Sequence, residues 1–165
     1  MKLARFRPLR VVALVLALAA CEDPGTSPEG PAALLGSWSI ESPESFPVET
    51  TVGTRQVRAV TVWSFGEDGQ WSHGTTYRSG GQTADVTLQS GTYTVNGDVI
   101  ELTTRAEAAP NFAPVRWPNT LTPVAVAPRV EQVGYRLRAS TLELRFYCPP
   151  NALCVGPVTF RRGLP

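Results

Sequence analysis

Thr92-Tyr93-Thr94-Val95-Asn96-Gly97-Asp98-Val99-Ile100-Glu101-Leu102-Thr103 is the stretch that decides the fold class. Tyr93, Val95, Ile100 and Leu102 are apolar, and Thr92, Thr94, Asp98, Glu101 and Thr103 are polar, so both runs alternate with the period of a half-buried strand. Asn96-Gly97 lies between them and suits a two-residue type I′ turn, which accepts positive φ at both central residues. This reading is a β-hairpin with Tyr93 opposite Ile100 on one face.

Two more hairpins follow from the same rule. Tyr135, Leu137, Leu142, Leu144 and Phe146 share a face, while Arg136, Arg138, Glu143 and Arg145 take the other. A turn at Ala139-Ser140 sets Arg136 opposite Glu143, an expected cross-strand ion pair worth about 0.2 to 1 kcal/mol on an exposed surface. Upstream, Ala59 to Phe65 and Gln70 to Tyr77 flank Gly66-Glu67-Asp68-Gly69. A three-residue loop Glu67-Asp68-Gly69, with Gly69 left-handed, places Phe65 opposite Trp71 and Trp63 opposite His73.

Further strands are expected at Leu34 to Glu41, Gln82 to Gln89, Leu121 to Ala127 and Val155 to Arg161, about nine in all by the spacing of turn signals. No stretch has convincing helical periodicity. Sequential hairpins predict a single up-and-down antiparallel barrel of about eight to nine strands, whose closure removes exposed edges. The 165 residues, 42% hydrophobic with 14 Gly and 15 Pro, suit one turn-rich domain with flexible ends.

The ends have their own logic. Lys2, Arg5, Arg7 and Arg10 precede the apolar run Val11 to Ala20, the layout of a secretory signal and too short to span a bilayer. Leu18-Ala19-Ala20-Cys21 resembles a bacterial lipobox, which implies cleavage of residues 1–20 and a lipid-modified Cys21 holding the chain to a membrane. Residues 21–33, with Glu-Asp-Pro-Gly-Thr-Ser-Pro-Glu-Gly-Pro from Glu22 to Pro31, then read as a tether and residues 34–162 as the folded domain. Lipoprotein sorting of the enterobacterial kind retains chains with Asp after the Cys at the inner membrane. Glu22 at that position therefore points to an outer membrane, facing the periplasm or the cell surface.

Without its leader the chain keeps 11 basic groups, all Arg, against 14 acidic ones. The Arg are scattered, so no stripe tracks a phosphate backbone and nucleic acid is not an expected partner. Cys148 and Cys154 remain as an even pair, and an oxidising compartment suggests a disulfide closing a small loop. By the chain-entropy estimate that ring adds roughly 2 to 2.5 kcal/mol. Two Cys with one His in the chain make a poor metal set, so neither a metal nor another cofactor is expected.

Gly36-Ser37-Trp38 resembles the Gly-x-Trp signature of lipocalins. Phe65-Gly66-Glu67-Asp68-Gly69 and Gly91-Thr92-Tyr93-Thr94-Val95-Asn96-Gly97-Asp98 are similar to units of bacterial lipocalin-like lipoproteins. The resemblance spans most of residues 34 to 162. It implies a Trp that closes one end of the barrel beneath a late Arg: Trp38 under Arg161 or Arg162, with Arg161 taken as the closing residue.

The registers turn Trp38, Trp63, Phe65, Trp71, Tyr93, Tyr135 and Phe146 inward. Trp63, Phe65, Trp71, His73, Tyr93 and Tyr135 are the candidate contacts for a small hydrophobic or aromatic ligand; the competing reading is a barrel whose lumen they fill. His73 is the only histidine and has no nucleophile with an orienting carboxylate assignable beside it. Asp85, Glu101 and Glu143 occupy polar strand positions, so no catalytic residue is assigned and an enzyme is not expected. Arg105 to Asn119 is a long connection whose Phe112 and Trp117 suit either a lid over a barrel mouth or a structural plug. The expected function is a lipid-anchored envelope protein binding a small ligand in the barrel. The alternative is a filled scaffold that contacts another envelope protein through its loops.

Overall fold

The computed structural model describes residues 31–147 and 156–163. The expected signal segment, Cys21 and most of the expected tether, and Cys148 and Cys154, lie outside the described residues. A single helical turn, α1 (Pro31–Leu34), precedes nine strands: β1 (Gly36–Glu41), β2 (Phe46–Thr50), β3 (Gly53–Phe65), β4 (Gln70–Ser79), β5 (Gln82–Asn96), β6 (Val99–Glu107), β7 (Val124–Arg138), β8 (Thr141–Phe146) and β9 (Val158–Arg162). Leu34 ends a helical turn instead of opening a strand, and the first strand begins at Gly36.

Strands β3 to β9 form an antiparallel meander, and β1 pairs with both β9 and β3, which closes eight strands into a barrel. The expected architecture is present, with β2 as a ninth strand on the N-terminal half of β3. Two pairs of expected strands are continuous: Gln82 to Gln89 runs on into the Tyr93 segment as β5, and Leu121 to Ala127 continues into the Tyr135 segment as β7. Pro128 falls where the β6–β7 register shifts, between the pairs Thr104↔Arg129 and Ala106↔Ala125, so its missing N–H breaks no regular ladder.

The hairpin around Gly97 needs a one-residue correction. Asn96 pairs with Val99, Val95 with Ile100 and Tyr93 with Leu102, so the loop is Gly97-Asp98. Among these residues only Gly97 (φ +62°) is left-handed, the pattern of a type II′ turn. The register expected from an Asn96-Gly97 loop would set Asp98 opposite core-facing Val95. The observed one pairs apolar residues with apolar residues and Thr94 with Glu101 on the wet face.

The other two hairpins have the expected registers. Phe65 pairs with Trp71 and Trp63 with His73 around a loop in which the Gly69 N–H bonds the Gly66 carbonyl at 3.1 Å with φ +73°. Arg138 pairs with Thr141 around Ala139-Ser140. The expected Arg136–Glu143 ion pair does not form; Glu143 takes Arg145 instead, at 2.6 Å. Arg145 stands opposite Gly134, which has no side chain to occupy the guanidinium, so it leans along its own strand to Glu143.

The main core gathers Trp38, Phe65, Trp71, Ile100, Leu102, Val133, Leu142 and Leu144, all nearly or fully buried. Gly91 sits at a register shift between β5 and β6, where a Cβ would fall 1.8 Å from the Thr103 carbonyl oxygen. Only glycine fits that crossing.

A second core lies at the far ends of β3 to β5, built from Val57, Ala84, Val115 and Trp117 with Phe46, Val48 and Tyr77 against it. The 108–123 connection makes its outer wall. Val115 exchanges backbone hydrogen bonds of 2.9 Å with Glu49 and Thr51 at β2, and Asn119 bonds Thr83 and Asp85 of β5. Strands β2 to β5 and this connection therefore close a smaller ring stacked on the barrel.

Candidate functional site

The closed end of the barrel is built around Trp38, which is fully buried. Its Nε1 donates to the Leu34 carbonyl at 2.7 Å, which ties α1 to the barrel floor. The Arg162 guanidinium lies 4.9 Å from the Trp38 ring centroid and donates to the carbonyls of Ala33 and Leu35 at 2.9 and 2.8 Å. The stacking residue is Arg162, not Arg161. Arg162 is the cross-strand partner of Trp38 and shares its face, whereas Arg161 pairs with Ser39 and points the other way.

Moving away from the floor, the inward pairs along β3 and β4 are Phe65 with Trp71, Trp63 with His73, and Thr61 with Thr75. The first pair is packed. From the second onward a cavity of about 420 Å³ opens. Its apolar walls are Trp63, Phe146 and Phe160, with Ile40 and Val158 beside them. Its polar groups are Thr61, His73, Thr75, Gln89 and Glu131.

Of the six residues expected to touch a ligand, Trp63 and His73 line this cavity. Phe65, Trp71, Tyr93 and Tyr135 belong to the packed core instead. The Tyr93 hydroxyl donates to the Gly66 carbonyl at 3.0 Å, holding the β3–β4 loop. Burial raises the Tyr93 and Tyr135 phenols above their ordinary range, with the nearby carboxylates of Asp68 and Asp98 adding to the effect. Both are structural phenols, not acids.

His73 has the most perturbed environment in the site. Its ring stacks on Trp63 at 4.3 Å with 28° between planes, and its Nδ1 is buried with no hydrogen-bond partner. Burial pulls its pKa down to about 4, with the Gln89 side chain opposite it on β5 acting in the other direction. At neutral pH it is an uncharged imidazole facing the cavity.

The carboxylates considered in the sequence have other duties. Asp85 accepts from the Thr76 hydroxyl at 3.0 Å and the Leu121 backbone at 3.1 Å, anchoring the connection to β5. Glu143 is held by Arg145, and Glu101 is exposed on the outer face. No cluster of three or more His, Cys, Asp or Glu able to hold a metal is found among the described residues.

Phe112 and Trp117 do not act together. Trp117 is buried in the second core, its Nε1 donating to Gln82 at 3.0 Å, while Phe112 is 65% exposed. The connection is thus a wall of the second ring, with Trp117 packed at the far ends of β3 to β5 and Phe112 outside that packing. A hollow of about 560 Å³ lies among its own turns, between Ala108 and Thr122.

The sequence reading did not select Thr61, Thr75, Gln89 or Glu131. Their signal was strand parity: Gln89 and Glu131 each lie an even number of residues from an inward aromatic, Tyr93 and Tyr135 respectively. Comparisons with known protein families, curated proteins and solved structures found no match to this chain.

Proposed function

We propose that the chain is a lipid-anchored protein of the cell envelope, with a lipocalin-like barrel that takes a small, largely apolar or aromatic molecule at its open end. The observation that carries this reading is the 420 Å³ cavity above the packed floor. That volume falls within the roughly 300 to 1,000 Å³ of small-molecule sites, and its mix of aromatic walls with a few convergent polar groups is the usual composition of such sites. The stacking of Arg162 on Trp38 at the opposite end agrees with the lipocalin resemblance.

The scaffold alternative draws support from exposed Phe112, but its companion Trp117 is buried, so the two rings do not form one exposed patch.

Native mass spectrometry of the protein purified from its own host tests the binding reading. A small molecule is expected to co-purify and to leave on mild activation. A bare chain mass, with no change in tryptophan fluorescence across a panel of aromatic compounds, would remove the reading. The anchor is tested separately by Cys21→Ser, which is expected to move the protein from the membrane fraction to the soluble one. Retention of C21S through a high-salt wash would refute the lipid attachment.

A further inference from the structure

The barrel cavity contains a carboxylate and neither lysine nor arginine in its lining. Glu131 owes this place to strand parity. Val133 and Tyr135, two and four residues on, face the core, and the cross-strand partner of Glu131 is buried Leu102. Glu131 therefore stands on the inward face of β7 where the barrel stops being full. Among the described residues it belongs to no ion pair. The nearest basic residue on its own strand, Arg129, is held by Glu107, and the other two ion pairs join Arg58 to Glu41 and Arg145 to Glu143.

Trp63, Phe146 and Phe160 line the same space and supply apolar surface to it. The burial of His73 keeps its ring neutral at physiological pH, so it supplies no compensating positive charge. A carboxylate at the mouth and no lysine or arginine in the lining favour positive charge and penalise negative charge.

We propose that the occupant is an organic cation: a small amine, protonated at neutral pH, with its apolar or aromatic body against Trp63, Phe146 and Phe160 and its ammonium group facing Glu131. Amphiphiles carrying a carboxylate, fatty acids included, are selected against by the same charge. This deepens the binding reading above and rests on it. Glu131 acts as the selector of head-group charge, and the rings below it accept a range of bodies.

The test is isothermal titration calorimetry of the full chain with phenylbutylamine, phenylbutanol and phenylbutanoate, which share a body and differ in head group. The amine is expected to bind at least about tenfold more tightly than the carboxylate, with the alcohol between them. Glu131→Gln is expected to lower the amine to the affinity of the alcohol and leave the alcohol unchanged. Because Glu131 is exposed, E131Q keeps the fold, which circular dichroism checks. Added salt is expected to weaken the amine in the native chain and not in E131Q. If the carboxylate binds as well as the amine, or if E131Q leaves the amine preference intact, cation selection is overturned while the ligand site stands. If none of the three binds up to its solubility limit, the ligand site itself is overturned.

Discussion

Within two residues along β3 and β4 the barrel changes character, and the two ends are made from the same strands. At the closed end Phe65 and Trp71 are each 3% exposed, packed with Tyr93, Ile100 and Leu142. One inward pair further on, Trp63 and His73 already border empty space, and beyond them the neighbours Thr61 and Thr75 bond each other at 3.0 Å. Large rings are present at both ends, so aromatic content does not decide which end is full. Strand length does: β3, β5 and β7 run 13, 15 and 15 residues, whereas β1, β8 and β9 run 6, 6 and 5. The short wall has no side chains to lay against the upper part of the long one, and the polar residues collect there.

The comparison breaks most visibly at Trp38. Removing a fully buried ring from a filled floor leaves a void that the neighbouring strands cannot collapse into, and it also strands the Leu34 carbonyl and the Arg162 guanidinium. Trp38→Ala is expected to cost about 3 to 5 kcal/mol in urea unfolding. A loss below about 1 kcal/mol would mean that the floor is not the part of the barrel that holds it together.

The same contrast explains what the sequence disclosed. Alternation at Tyr93, Val95, Ile100 and Leu102 and at Leu142, Leu144 and Phe146 was readable because the floor is buried on one face, and burial enforces strict period two. Trp38 under a late Arg followed from the lipocalin resemblance, but choosing between Arg161 and Arg162 required the β1–β9 register. Strand β2 was hidden because Phe46-Pro47-Val48-Glu49-Thr50 is short and carries a proline, and its second neighbour is an irregular connection some 65 residues away in the chain. The open end was the least legible part. Glu131 and Gln89 are polar residues on inward positions, so a rule that assigns polar side chains to solvent passes over the residues a cavity uses.

At His73 the open end gives up stability for an unfilled polar site. Unfolded, the imidazole titrates near its ordinary value of 6.5; folded, burial lowers it to about 4. The native state therefore binds fewer protons than the unfolded chain between these values. The stability linked to this group is fully present above pH 6.5 and is lost as the pH falls toward 4, by up to about 3 kcal/mol, with no further change below. His73→Phe keeps a ring against Trp63 and removes the unpartnered Nδ1. It is expected to flatten that pH window and to raise stability at pH 7 by about 1 kcal/mol, because replacing an unsatisfied buried polar atom with carbon recovers its desolvation cost. Urea titrations of both proteins at several pH values between 3.5 and 7.5 measure the two effects together. Should H73F prove less stable than the native chain at pH 7, Nδ1 has a partner inside the barrel.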